Sequence, residues 1–130
     1  MSQPNFNNLL KVLNNEVPDE PTLFEFALNM RLYKKLADEK YHDYDDELGR
    51  MKFLVNAFLN AGYDFATVRI TDFGIADFEL AEGKSISQYE HSQIHDRQGF
   101  ENYEWSDPDE GSYHVYAEIN DFLPEGAKLV

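Results

Sequence analysis

The sequence predicts an α/β fold assembled from right-handed strand–helix–strand units. Three features carry that expectation. Two apolar runs, "PTLFEF" at 21–26 and "YDFATVRI" at 63–70, have the length and composition of strands. Between them lies the most regular helical pattern of the chain, over about the length a parallel crossover needs. Near the end, "AKLV" at 127–130 reads as the first residues of a third strand. Such a series of units can build an open doubly wound sheet or part of a closed barrel, and periodicity alone does not choose.

The elements follow in order. Phe6, Leu9, Leu10 and Leu13 are spaced i, i+3, i+4 and i+7, the pattern of a short amphipathic helix, with Asn5 placed to cap it. "NNEVPDEP" then brings Pro18 and Pro21, which cannot continue a helix. The first strand is apolar apart from Glu25, which predicts cover on both faces. A short helix in "MRLYKKL" and an acidic interruption from Asp43 to Glu47 precede the main helix. Its buried stripe is predicted as Leu48, Met51, Leu54, Val55, Phe58 and Leu59, and Gly62 stands where a left-handed C-terminal cap belongs. After the second strand, residues 73–95 mix short extended pieces with Gly74 and Gly83 and predict a long excursion or hairpin. "DRQGFENYEW" predicts a helix capped by Asp96. "SDPDEGSYHVYAEINDFL" predicts another, with Val115, Ile119, Phe122 and Leu123 inward, stopped by Pro124 and Gly126.

At 130 residues and 42% apolar content the chain suits one domain, residues 1–130, with a core of its own. Its 11 basic and 25 acidic residues give a net charge of −14, which disfavours nucleic acid and anionic membranes as partners. There is no cysteine, so disulfides, thiolate metal sites and a cysteine nucleophile are excluded. "MSQPNFNN" has neither the basic nor the apolar region of a secretory leader, and no apolar run reaches the ~20 residues of a membrane span. A soluble, cytoplasmic protein is expected.

Few motifs point to chemistry. "DFGIAD" has one glycine where a dinucleotide loop needs three, and "EGKS" lacks the upstream glycine and the strand of a phosphate loop. His91 and His95 in "HSQIH" are four apart, as zinc ligands on a helix would be, but without the glutamate of a metalloprotease. "HDYDDE" lacks the ligand order and glycine of a calcium loop, and Asp45 and Asp46 suit a helix N-terminus. No metal ligand is assigned. Asp72 differs from these, because it follows Val68 to Thr71 at the carboxyl end of a strand, the edge where α/β proteins bind ligands. Glu25 and Asn29 hold the corresponding place after the first strand. An aspartate at a strand end is also a common turn or helix cap.

The ordered segments "NFNNLLKVLNNEVPDEPTLFEF", "RMKFLVNAFLNAGYDFATVRITDFG", "KSISQ", "DRQGFENYEWSDPD" and "LPEGAKLV" together resemble the N-terminal portion of the uroporphyrinogen decarboxylase superfamily, which includes cobalamin-dependent methyltransferases. The resemblance implies the N-terminal part of a (β/α)8 TIM barrel, incomplete, with two strands, the start of a third and a long loop after strand two. Such barrels need ~250 residues, so a catalytically silent fragment is expected. It would cover its open edges by self-association or with the remainder of the barrel. By the same resemblance Asp72 is the catalytic residue, facing the pyrrole nitrogens of a tetrapyrrole; Phe73 beside it in the sequence, and Glu25 and Asn29 from their place after the first strand, are the substrate-binding candidates. The decarboxylase's paired-arginine motif is not matched: Phe26 stands near the first arginine's place and Arg31 is offset. That departure favours the methyltransferase-like or an uncharacterised branch, and the methyltransferase chemistry would use zinc and cobalamin. No cofactor is expected in this chain, since the branch's His and Cys ligands lie late in the barrel.

The competing expectation is a small acidic binding protein of the inhibitor or immunity type. Its net charge would steer it to a basic enzyme, and its 8 tyrosines and 10 phenylalanines would supply interface anchors.

Overall fold

The computed structural model describes residues 3–69, 94, 96–105, 107, 109 and 111–130. In chain order its elements are helices α1 (Asn7–Leu13) and α2 (Met30–Leu36), a 3-10 turn (Glu39–Tyr41), helix α3 (Glu47–Asn60), strand β1 (Phe65–Ala66), helices α4 (Arg97–Glu101) and α5 (His114–Phe122), and strand β2 (Lys128–Leu129). The chain divides into two compact units, one of Met1–Ile70 with Tyr113–Val130 and one of Thr71–Ser112.

The larger unit is organised around α3. Asp46 caps its start, with Oδ1 accepting the Gly49 N–H at 2.6 Å. Its end is a Schellman turn: Gly62 takes φ +90°, the Gly62 N–H meets the Leu59 carbonyl at 3.0 Å, and the Tyr63 N–H meets the Phe58 carbonyl at 3.2 Å. Between these stops Met51, Phe53, Val55, Ala57 and Phe58 are all buried. That set differs from the single stripe expected, with Phe53 and Ala57 added and Leu48, Leu54 and Leu59 only half-buried, because α2, the 3-10 turn, α5 and β1 all pack on this helix. Phe53 meets Tyr33 of α2 at a ring separation of 6.0 Å, and Phe58 meets Tyr33 at 6.0 Å, Tyr63 at 5.1 Å and Phe65 at 6.3 Å. α5 also packs on this helix and buries Val115 and Ile119, as its spacing predicts, while Phe122 and Leu123 are half-buried. Polar ties complete the frame. Asn56 Oδ1 accepts the Asp38 N–H at 2.7 Å, and Asn60 Nδ2 donates to the Leu36 carbonyl at 2.8 Å.

β1 and β2 pair in parallel, Phe65 opposite Lys128 and Ala66 opposite Leu129. Backbone bonds extend the contact past the two-residue strands, from Lys128 N–H to the Asp64 carbonyl, Val130 N–H to the Ala66 carbonyl and Val68 N–H to the Val130 carbonyl. The N-terminal segment is tied alongside. Asn5 N–H donates to Asp64 Oδ1 at 2.8 Å and Phe6 N–H to the Gly126 carbonyl at 2.9 Å.

Several expectations are corrected here. An incomplete TIM barrel is not what forms, since helices carry most of the regular structure among the described residues and the sheet is one pair of two-residue strands. Residues 21–26 form no strand. Leu23, Phe24 and Phe26 are 49%, 46% and 70% exposed rather than covered on both faces. The physical reason is that an apolar strand persists only with ladder partners and covering layers, and among the described residues neither is built around this segment. In α1 only Asn8 and Leu9 are buried, while Leu10 and Leu13 face outward. Asn5 accepts the Asn7 N–H at 3.2 Å, but the N-cap position falls on Phe6 without a side-chain bond. The expected hairpin region at 73–95 lies outside the described residues, apart from Ile94.

In the smaller unit α4 is capped as expected, Asp96 Oδ1 accepting the Gly99 N–H at 2.7 Å. Phe100 and Tyr103 meet Trp105 edge to face at ring separations of 5.5 and 4.7 Å.

Candidate functional site

A parallel pair of strands brings its carboxyl ends to one edge, and in α/β proteins that edge is where ligands are bound. Here β1 leaves its pairing through Val68, which is buried, and Arg69, which is exposed. The exit is held from α3. Arg50 donates through Nη2 to the Arg69 carbonyl and pairs through Nε and Nη2 with the Glu47 carboxylate one helical turn earlier. The hydrogen bond that Arg50 donates to Glu47 raises the Arg50 pKa, while burial opposes it and the Glu47 charge adds to the rise. Arg50 is thus a permanent cation that ties a helix to the outgoing strand. Sequence reasoning passed over it. The signal available was the i, i+3 spacing of Glu47 and Arg50 next to a strand that ends on polar residues.

The predicted site residues fare differently. Asp72 and Phe73 lie outside the described residues, as do His91, His95 and the "EGKS" segment. Asn29 is the N-cap of α2, its Oδ1 accepting the Leu32 N–H at 3.0 Å. Glu25 is exposed, and its charge acts on Tyr63, whose hydroxyl is pushed above the usual tyrosine range first by burial, then by Glu25 and Tyr33. Among the described residues no hydrogen bond or ion pair joins Glu25 to Asn29. Arg31 is exposed on α2.

The zinc implied for the methyltransferase branch does not fit what is present. The chain has no thiolate, and His42 Nε2 lies 3.1 Å from the Ala37 carbonyl with its ring edge-on to Phe53. Among the described residues no group of three or more histidine, aspartate or glutamate side chains could hold a metal ion. The "HDYDDE" tract instead supplies the Asp46 cap. An open depression lined by Gln3, Pro4, Asn5, Glu125 and Gly126 holds one exposed carboxylate and no enclosed polar group. The hydroxyls of Thr22 and Thr67 are buried without a hydrogen-bond partner among the described residues.

The second feature that sequence reasoning misjudged is the apolar run at 23–26. Its composition predicts a strand covered on both faces, yet its residues stand on the surface. Phe24 rests on the fully buried Phe65 at a ring separation of 5.4 Å and carries Phe26 on its own edge at 5.1 Å.

No family model, curated protein or solved structure matches the chain.

Proposed function

We propose that this chain forms part of a small-molecule enzyme of the uroporphyrinogen decarboxylase-like type, in its methyltransferase-like or tetrapyrrole-handling branch, and is catalytically silent alone. The observation that supports the reading is the parallel pairing of β1 and β2, with Arg50 holding the Arg69 carbonyl where β1 leaves the sheet toward Asp72. In this reading Asp72 offers a carboxylate to the ligand, and Arg50 fixes the Arg69 carbonyl three positions before it in the sequence. On the same reading the two strand ends among the described residues form only part of a ligand site, and the remaining walls come from other polypeptide. The reading takes the protein to be cytoplasmic; among the described residues no helix is long and apolar enough to cross a membrane.

The test is titration of the purified chain with uroporphyrin and, separately, with methylcobalamin, for wild type and Asp72→Asn. Binding of one of them that Asp72→Asn weakens, without turnover, is expected. Failure of both to bind, or binding indifferent to Asp72, would sink the reading. Turnover of a porphyrinogen, or of methylcobalamin with a thiol, would overturn the claim of silence.

A second reading, a small acidic binding protein of the inhibitor or immunity type, is favoured by one observation: exposed aromatic side chains at 24 and 26 on a chain of net charge −14. It predicts complexes with basic partners that weaken as ionic strength rises.

A further inference from the structure

Between Val12 and Met30 the chain has no lysine, arginine or histidine and four carboxylates, Glu16, Asp19, Glu20 and Glu25. Asp19 is taken up by Lys11 at 2.7 Å. The other three are exposed and, among the described residues, without a cationic partner. Within this acidic surround lie Leu23, Phe24 and Phe26, about half to two-thirds exposed. Phe24 is seated on Phe65 of the core, so the aromatic pair has one end fixed and one end in water. Rigid aromatics presented in this way are typical anchors of protein interfaces. The backbone adds a second feature: from Glu20 to Ala27 no N–H or carbonyl is bonded to the backbone of another described residue. Unpaired peptide groups beside a run of outward side chains give an extended partner segment both backbone and side-chain contacts to make.

We infer that Leu23–Phe26 is a docking strip for an extended, cationic segment of a partner protein, in which apolar residues alternate with lysine or arginine. Charge selects this occupant. A second copy of the chain would bring the same carboxylates to the rim and a further net charge of −14, and nucleic acid or an anionic membrane would be repelled for the same reason. The apolar residues of the partner meet Phe24 and Phe26, its cations meet Glu20 and Glu25, and its backbone meets the unpaired peptide groups of this run. This inference rests on the acidic-binding reading for the sign of the partner and names the surface that reading lacks.

The experiment uses the full chain and three fluorescent peptides, alternating lysine–valine, oligolysine, and alternating glutamate–valine, with anisotropy as readout. Phe26→Ser and Glu25→Lys change exposed side chains, and their urea midpoints report whether folding is retained. Tighter binding of the lysine–valine peptide than of the other two is expected, with weakening at higher salt and a loss of at least about tenfold in affinity in Phe26→Ser. If no cationic peptide binds, the strip and the acidic-binding reading fall together. If oligolysine binds as well as lysine–valine, or Phe26→Ser binds unchanged, the strip is wrong while the acidic reading stands. A dimer in sedimentation that Phe26→Ser abolishes would assign the surface to a second copy and overturn the partner.

Discussion

Gly62 and Gly126 have the same backbone conformation, φ +90° and +89°, in opposite surroundings. Alanine at each position therefore separates the cost of a left-handed backbone from the cost of a close approach. At Gly62 a Cβ would meet nothing within 4 Å. Its penalty is that of a side chain at positive φ, about 1–3 kcal/mol, to which the restricted unfolded chain returns roughly 0.4–1 kcal/mol, leaving about 1 kcal/mol. At Gly126 the same Cβ would stand 2.0 Å from the Pro4 carbonyl oxygen and 3.1 Å from its carbon. Backbone cannot rotate out of the way like a side chain, so the N-terminal segment must lift. Lifting it breaks the Phe6 N–H bond to the Gly126 carbonyl and the Asn5 N–H bond to Asp64, each about 0.5–1.5 kcal/mol net. It also draws Phe6 from its edge contact with Phe65, 6.5 Å between centroids. Gly126→Ala should thus be destabilised by about 2–4 kcal/mol and Gly62→Ala by about 1 kcal/mol. The assay is urea unfolding followed by circular dichroism, comparing midpoints at equal slope. Equal midpoint shifts for the two variants would refute the packing of residues 4–6 against the turn that precedes β2.

Two further outcomes follow from the same geometry. Asn29→Ala should lower the stability of the chain by about 1 kcal/mol, with Asn29→Asp keeping most of it, because the side chain caps α2; in ligand titrations, a loss of binding in Asn29→Asp, with its cap intact, would show that the residue also serves a ligand. Tyr63 gives a sign to the alkaline limb. Its hydroxyl pKa is raised in the folded state, by burial first and Glu25 second, so its contribution is fully present below about pH 10, the unfolded value, and is lost as pH rises through the folded value. Tyr63→Phe should flatten the fall in urea midpoint above that pH, and Glu25→Gln should reduce it; a fall of the same steepness in all three proteins would show that other tyrosines govern it.

The parts of the fold that were legible in the sequence are those decided within a few residues. A carboxylate three residues before a helical N–H makes a cap, and so Asp96 could be read directly, while Asp45 and Asp46 both suited the start of α3 and the cap is Asp46. A glycine at the end of an apolar period makes a left-handed stop, and so could Gly62. The inward face of α5 was legible because its branched aliphatic residues, Val115 and Ile119, are four apart and fall on one side of the helix. Burial on α3 was underestimated for a non-local reason. Phe53 and Ala57 lie off the main stripe, and only the arrival of Tyr33, His42 and Tyr44 from other elements closes water away from Phe53. Asn8 shows the opposite error. It is polar yet buried, because its Oδ1 accepts the Asp19 N–H at 3.1 Å across the proline-bearing turn, and no periodicity reports a bond of that kind.

The run at 21–26 exposes the deeper limit. Apolar composition records that side chains gain by leaving water, at about 25 cal/mol per Å², and is silent about which surface receives them. A strand, a core layer and a docking strip make the same demand on composition, and they differ only in whether the ladder partner and the covering layer lie in the same unit. In the larger unit the cover stops at Phe65, which is buried, and Phe24 and Phe26 step outward from it. The candidate site inherits this ambiguity. Parallel pairing of β1 with β2 and the Arg50 tie make the exit of β1 a defined place, while the open run beside Phe65 leaves part of that place to be covered. Uroporphyrin or methylcobalamin sensitive to Asp72 assigns the edge to a small ligand. A lysine–valine peptide sensitive to Phe26 assigns the open run to a partner chain. Because the two variants lie on different segments and answer to different probes, either result can be obtained without the other.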